Sequence, residues 1–105
     1  MGERTENVVN GDLGQTVVGL AAVIHDRREA SPETSYTARL LQGKEDSLLK
    51  KLAEEATEVV MACKDDDHDH IRYEAGDLIY HLLVVLERYG VTIAELAGEL
   101  DARRH

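Results

Sequence analysis

The residues best suited to chemistry in this chain are acidic, and they lie where helices usually avoid acid. Glu54-Glu55-Ala56-Thr57-Glu58 and Glu74-Ala75-Gly76-Asp77 fall inside stretches whose apolar spacing is helical. In each, carboxylates recur at i, i+3, which places both side chains on one helix face beside the apolar stripe. Two such steps brought face to face make a nest of four carboxylates: Glu55, Glu58, Glu74 and Asp77. Unit charges 4 Å apart repel by roughly 4 kcal/mol at an effective dielectric near 20, so such a nest needs protons or a cation. Oxygen ligands favour Mg²⁺ or Mn²⁺ over zinc, and magnesium completes its shell with water and substrate phosphates. The pattern points to chemistry on phosphates. The plainer reading is a solvated helix face paired with Lys50, Lys51 and Arg72. It accounts well for one acidic step and poorly for two that both border the core.

Two helices must position these acids. One is expected from about Glu45 to Lys64, burying Leu48, Leu52, Ala56, Val59 and Cys63. Cys63 then reads as a small buried hydrophobe. Stepping about 100° per residue from Leu52, Glu55 borders the core, Glu58 comes next and Glu54 lies farthest out. The next helix is expected from about His70 to Tyr89, burying Ile71, Ala75, Leu78, Leu82 and Leu86, with Glu74, Asp77 and His81 on an adjoining stripe. The linking Asp65-Asp66-Asp67-His68-Asp69-His70 reads as an acidic loop whose final Asp caps that helix. So short a link implies an antiparallel pair. Gly76 in mid-helix costs about 1 kcal/mol relative to Ala, which makes sense if a neighbour or ligand approaches closely.

Around this pair, Leu13, Val17, Leu20 and Ile24 form a helical stripe closed by the polar run Asp26–Glu29. Ser31-Pro32 supplies a helix start or a turn. A short helix from about Tyr36 to Gln42 should stop at Gly43 as a left-handed residue. Gly90 ends the long helix, and Thr92 with Glu95 matches a capping box opening a last one through Leu96 and Leu100. No strand alternation is long enough to count. The expected fold is all-α, a helical bundle of about four to five helices, with residues 1–12 a flexible leader and 13–105 one domain.

At 105 residues the chain supports one modest core, and it has no Trp and no Phe to fill it. Completion of that core by a homodimer or higher homo-oligomer is expected. The net charge of −9 excludes a general nucleic-acid binder. A single cysteine rules out an internal disulfide and a cysteine-based zinc site. No apolar run reaches the roughly 20 residues of a membrane span, so no membrane partner is expected and the cytoplasm is the expected location.

Taken together the motifs resemble a known family. Glu54-Glu55-x-x-Glu58 followed by Glu74-x-x-Asp77 is similar to the signature of the all-α nucleoside-triphosphate pyrophosphatases, the MazG-like superfamily. Ser35-Tyr36-Thr37, Gly43, Lys51 and Asp77-Leu78-Ile79-Tyr80-His81 narrow the resemblance to phosphoribosyl-ATP pyrophosphatases of histidine biosynthesis. The resemblance spans about Leu13 to Leu100. Leu52-Ala53 departs from the Val-Gly often found there, and Arg103-Arg104-His105 carries no family signal.

The resemblance implies Mg²⁺-dependent hydrolysis of the α–β phosphoanhydride of phosphoribosyl-ATP, with Mn²⁺ as an alternative ion. Glu55, Glu58, Glu74 and Asp77 become the metal set, with Glu54, Glu55 and Glu58 as catalytic acids. Glu54 then acts as an outer support or as the base for water. Lys51 is the first choice for a phosphate contact, followed by Arg39 and Lys44. Tyr36 stacks on the base or packs, and His81 orients a carboxylate or touches substrate. In some organisms the activity is fused to a cyclohydrolase domain, for which this chain is too short. Two other readings stand beside it: a general triphosphate pyrophosphatase, and a non-enzymatic acidic interaction module. A di-iron bundle is disfavoured because no Glu-x-x-His step occurs.

Overall fold

The computed structural model describes residues 8–104, which form α1 (Leu13–Asp26), α2 (Tyr36–Gln42), α3 (Glu45–Lys64), α4 (His68–Arg88) and α5 (Ile93–Ala102). No strand occurs among the described residues, so the fold is all-α. Residues 1–7 of the expected leader lie outside the described residues, as does His105.

Most helices start where the sequence offers an acceptor to the free N–H groups of a first turn. Asp12 accepts from the Gln15 N–H at 3.1 Å for α1, and Ser35 from the Ala38 N–H at 3.1 Å for α2. Asp67 accepts from the His70 N–H at 3.2 Å for α4. The helix therefore begins two residues before its expected start, and Asp67 rather than Asp69 is its cap. Ser31-Pro32 belongs to a turn, since Ser35 opens α2. Thr92 and Glu95 make the reciprocal bonds of a capping box at α5. No side chain caps α3, but Glu45 and Asp46 place negative charge in its first turn.

Gly43 closes α2 in an extended conformation (φ −80°, ψ −164°), not the expected left-handed one. A Cβ there would come within 2.7 Å of the Arg39 carbonyl oxygen, so close backbone approach is what calls for glycine. Gly90, at φ 74°, takes the left-handed geometry at the end of α4.

The frame of the molecule is the α3–α4 hairpin. Residues 65–67 connect the two helices, with Asp66 at φ 54°, a left-handed geometry Asp tolerates better than most residues. Helix α1 packs on α4, and α2 bridges α3 and α4. The core is Ile24, Leu48, Leu83 and Val84, with Leu20, Leu40 and Tyr80 among the residues packed around it. Gln42 donates to the carbonyls of Arg28 and Ala30 (3.0 and 2.8 Å), and Arg88 donates to the Leu40 carbonyl at 3.1 Å. These bonds hold the C-terminal end of α2 to the preceding turn and to α4.

The buried faces are rotated from their expected positions. In α3, Ala56 and Cys63 are exposed, whereas Glu55 and Ala62 are buried. In α4 the expected Ile71, Ala75, Leu78, Leu82 and Leu86 are half-buried, and the buried residues are Glu74, His81, Leu83 and Val84. A stripe drawn from hydrophobicity turns charge outward, but the seam of this hairpin runs through its carboxylates. Gly76 is exposed and no atom of the other described residues lies within 4 Å of a Cβ placed there, so the expected close approach is not made by a neighbouring helix. Leu13, Val18, Val60, Met61 and Leu100 remain exposed. The radius of gyration is 14.5 Å, above the roughly 13 Å usual for 100 residues in one compact domain.

Candidate active site

Antiparallel pairing brings α3 and α4 acids together in mid-hairpin. Ligand atoms of Glu55, Asp77 and His81 all lie within 4.8 Å of one another. Glu55 is only 3% exposed and Glu74 is fully buried. Each binds one basic side chain a turn away. Lys51 Nζ stands 3.1 Å from Glu55 Oε1, and His70 Nε2 stands 2.9 Å from Glu74 Oε2. With the carboxyls ionised, the second oxygens, Glu55 Oε2 and Glu74 Oε1, are buried without a hydrogen-bond partner. Burying such an oxygen unpaired costs on the order of 1–3 kcal/mol or more.

Proton affinities follow from this crowding. Burial raises the Asp77 pKa, and the hydrogen bond and charge of Glu55 raise it further, with Glu74 adding to the effect. Burial also works against ionised Glu55, but hydrogen bonds from Lys51 and Asp77 outweigh it and hold that carboxyl below its usual value. When the carboxylates are left to themselves, Asp77 takes the proton and Glu55 keeps the charge. The hydrogen bond to Glu55 raises the Lys51 pKa, so the ammonium stays charged.

The alternative to a shared proton is a cation, and the residues suit one. Unpartnered buried oxygens on two facing helices, all from carboxylates, are donors for a hard divalent ion. Glu55 and Asp77 would contact it first. Glu74 lies one turn before Asp77, and Glu58, half-buried, one turn after Glu55.

The remaining candidates sit at varied distances from this centre. Lys51 is in contact with it through Glu55. Glu54 is exposed, in keeping with its outer place on the wheel. Arg39 donates to the Pro32 carbonyl at 2.9 Å and lies over the Tyr36 ring, 5.6 Å from its centroid. Lys44 is exposed at the start of α3. His81 donates from Nδ1 to the Asp77 carbonyl at 2.8 Å, and its Nε2 lies 3.0 Å from the Tyr36 hydroxyl. Tyr36 has its phenol pKa raised, first by burial, and remains a neutral donor.

Sequence reasoning missed the partner of Glu74. From sequence, His70 falls at the junction of the linker and the next helix with no role, although its i, i+4 spacing to Glu74 is the signal that pairs them. It also missed the bonds from Ser35-Tyr36-Thr37 to Tyr80-His81, which no local spacing discloses.

Comparison with known proteins places the sequence in one family. Residues 17–104 match the family described as phosphoribosyl-ATP pyrophosphohydrolase. The phosphoribosyl-ATP pyrophosphatase of Methylibium petroleiphilum is 48% identical over 95 residues, covering 90% of this chain and 78% of the relative. That of Haloarcula marismortui is 43% identical over 98 residues, covering 91% of this chain and all of the relative. A histidine biosynthesis bifunctional protein of Nostoc sp. is 46% identical over 101 residues, and there the match covers 96% of this chain but only 47% of the longer relative. On this similarity, the chain belongs to the phosphoribosyl-ATP pyrophosphohydrolase family.

Proposed function

We infer that this chain is a phosphoanhydride hydrolase of histidine biosynthesis, converting phosphoribosyl-ATP to phosphoribosyl-AMP and pyrophosphate by cleavage at the α–β bridge. The observation that carries the reading is the close pair of buried Glu55 and half-buried Asp77, set beside unpartnered buried carboxylate oxygens in a family of this activity.

The proposed cofactor is Mg²⁺, with Mn²⁺ as a substitute, held by Glu55, Glu58, Glu74 and Asp77. When bound, the ion supplies charge neutralisation at the phosphoryl oxygens. The chain's own residues do the rest. The His70 contact keeps Glu74 oriented, and Lys51 holds Glu55 while presenting positive charge toward the phosphates. Arg39 and Lys44 supply further cationic contacts from the α2 side. Glu54, on the open side of α3, is the candidate to orient or deprotonate the attacking water. In this family the work is mostly positioning and electrostatics, as phosphoryl chemistry requires.

The open apolar residues on α1, α3 and α5 support a homodimer or higher homo-oligomer. Among the described residues no helix is long and apolar enough to cross a membrane, and a cytoplasmic location is proposed with the biosynthetic role. Turnover of phosphoribosyl-ATP with Mg²⁺, measured beside a panel of ordinary nucleoside triphosphates, tests the assignment. Preference for the ordinary triphosphates would replace it with a general pyrophosphatase.

A further inference from the structure

Two short motifs far apart in sequence meet residue for residue. Tyr36 and Thr37 open α2, while Tyr80 and His81 lie on α4. The Tyr36 hydroxyl meets His81 Nε2 at 3.0 Å, and the Thr37 hydroxyl meets the Tyr80 hydroxyl. The rings are packed as well: Tyr36 and Tyr80 are stacked with centroids 6.3 Å apart, and Tyr80 and His81 lie nearly perpendicular with centroids 5.0 Å apart.

Hydrogen-bond logic fixes the imidazole. The Asp77 carbonyl can only accept, so His81 Nδ1 carries the proton. In the neutral ring Nε2 is then an acceptor, and the Tyr36 hydroxyl donates to it. Both nitrogens of a ring that is only 2% exposed are thus committed. Although His81 lies within reach of Glu55 and Asp77, neither nitrogen is left for an ion.

A helix of seven residues cannot stand on its own, so its placement depends on such bonds. Arg39 lies one turn on from Tyr36 with its guanidinium over the Tyr36 ring. A chain of contacts therefore runs from the Asp77 carbonyl through His81 and Tyr36 to Arg39.

We propose that His81 is a positioning residue, not a metal ligand: it latches Tyr36, and with it α2 and Arg39, at the rim of the acidic site. Only the kinetic part of this rests on the hydrolase reading. The latch sets substrate affinity, while the carboxylates keep their own geometry.

The test compares wild type with Tyr36→Phe, His81→Leu, their double variant and His81→Gln. Three quantities are read: the urea-unfolding midpoint, Mn²⁺ affinity by electron paramagnetic resonance, and KM against kcat for phosphoribosyl-ATP. Each of Tyr36→Phe and His81→Leu should raise KM about tenfold with kcat changed less than threefold. The double variant should be no worse than the worse single one, in KM and in unfolding alike. Mn²⁺ affinity should stay within about twofold of wild type. Glutamine, which restores an acceptor, should recover most of the loss where leucine cannot. A His81 variant that loses Mn²⁺ affinity while Tyr36→Phe keeps it would overturn the proposal. So would independent effects of the two sites, or equal behaviour of leucine and glutamine. If wild type fails to turn over phosphoribosyl-ATP, the enzyme assignment falls, and the coupling seen in unfolding still decides the latch.

Discussion

Replacing Asp77 by asparagine should make the protein more stable in the absence of divalent ions while removing its response to them. Glu55 and Asp77 present oxygens no more than 4.8 Å apart, which at an effective dielectric near 20 corresponds to roughly 3.5 kcal/mol of repulsion when both are ionised. Partial solvent access at Asp77 and proton sharing reduce the recoverable part to about 1–3 kcal/mol. For about 100 residues, each kcal/mol moves Tm by roughly 4–8 °C, so a rise of about 5–20 °C is expected in EDTA at pH 8. The pH dependence has a definite sign. Asp77 has a raised pKa, so its contribution is fully present below the unfolded value near 3.9 and is lost as pH rises through the folded value. Glu55 is shifted downward, so its contribution is present above about pH 4.3 and is lost only as pH falls through its folded value. Of the two, only the Asp77 contribution is lost with rising pH above its unfolded value. The advantage of Asp77→Asn should therefore grow as pH rises through the raised Asp77 pKa and be larger at pH 8 than at lower pH. Differential scanning calorimetry with EDTA or 10 mM Mg²⁺ at pH 8 and at lower pH is the assay. No gain in Tm at pH 8 in EDTA, or a Mg²⁺ response equal to wild type, would refute the reasoning.

Other substitutions separate chemistry from folding. Glu55→Gln should reduce kcat at least about a hundredfold with the helical circular-dichroism spectrum retained, since a ligand charge is removed without changing side-chain size. Lys51→Ala should raise KM about tenfold or more, read from steady-state kinetics, because a charged contact worth roughly 1.5–3 kcal/mol is lost. Ala62 is fully buried in the hairpin seam, and Ala62→Leu should destabilise by about 1–3 kcal/mol in urea unfolding. Thr92→Ala removes the α5 capping box and should cost about 1 kcal/mol in the same measurement.

The elements were legible because their signals are local. The bounds of α2 and α3 follow from Ser35, Gly43 and the apolar spacing, and the α5 capping box declares itself in four residues. The acidic pair was legible from spacing alone, since i, i+3 carboxylates share a face whatever packs on them. What could not be read was how deeply they sit. Glu55, Glu74 and His81 are more buried than most of the leucines of their own helices, and a rule that sends charge to water must put them outside. Cys63 was misplaced for the same reason: rotating Glu55 inward carries residue 63 out toward solvent. Gly43 shows a different gap, since only backbone coordinates reveal its approach to the Arg39 carbonyl.

The tight connection at Asp66 reaches far beyond its own three residues. Glu55 and Asp77 are both eleven positions from Asp66, and Glu58 and Glu74 are both eight, so the hairpin folds like a hinged rule whose markings coincide. At about 1.5 Å per helical residue, the pivot lies roughly 16 Å from the acids it aligns. Adding or deleting one residue there would shift every opposed pair out of step. A bend that touches no substrate should thus resist length changes as strictly as the site itself.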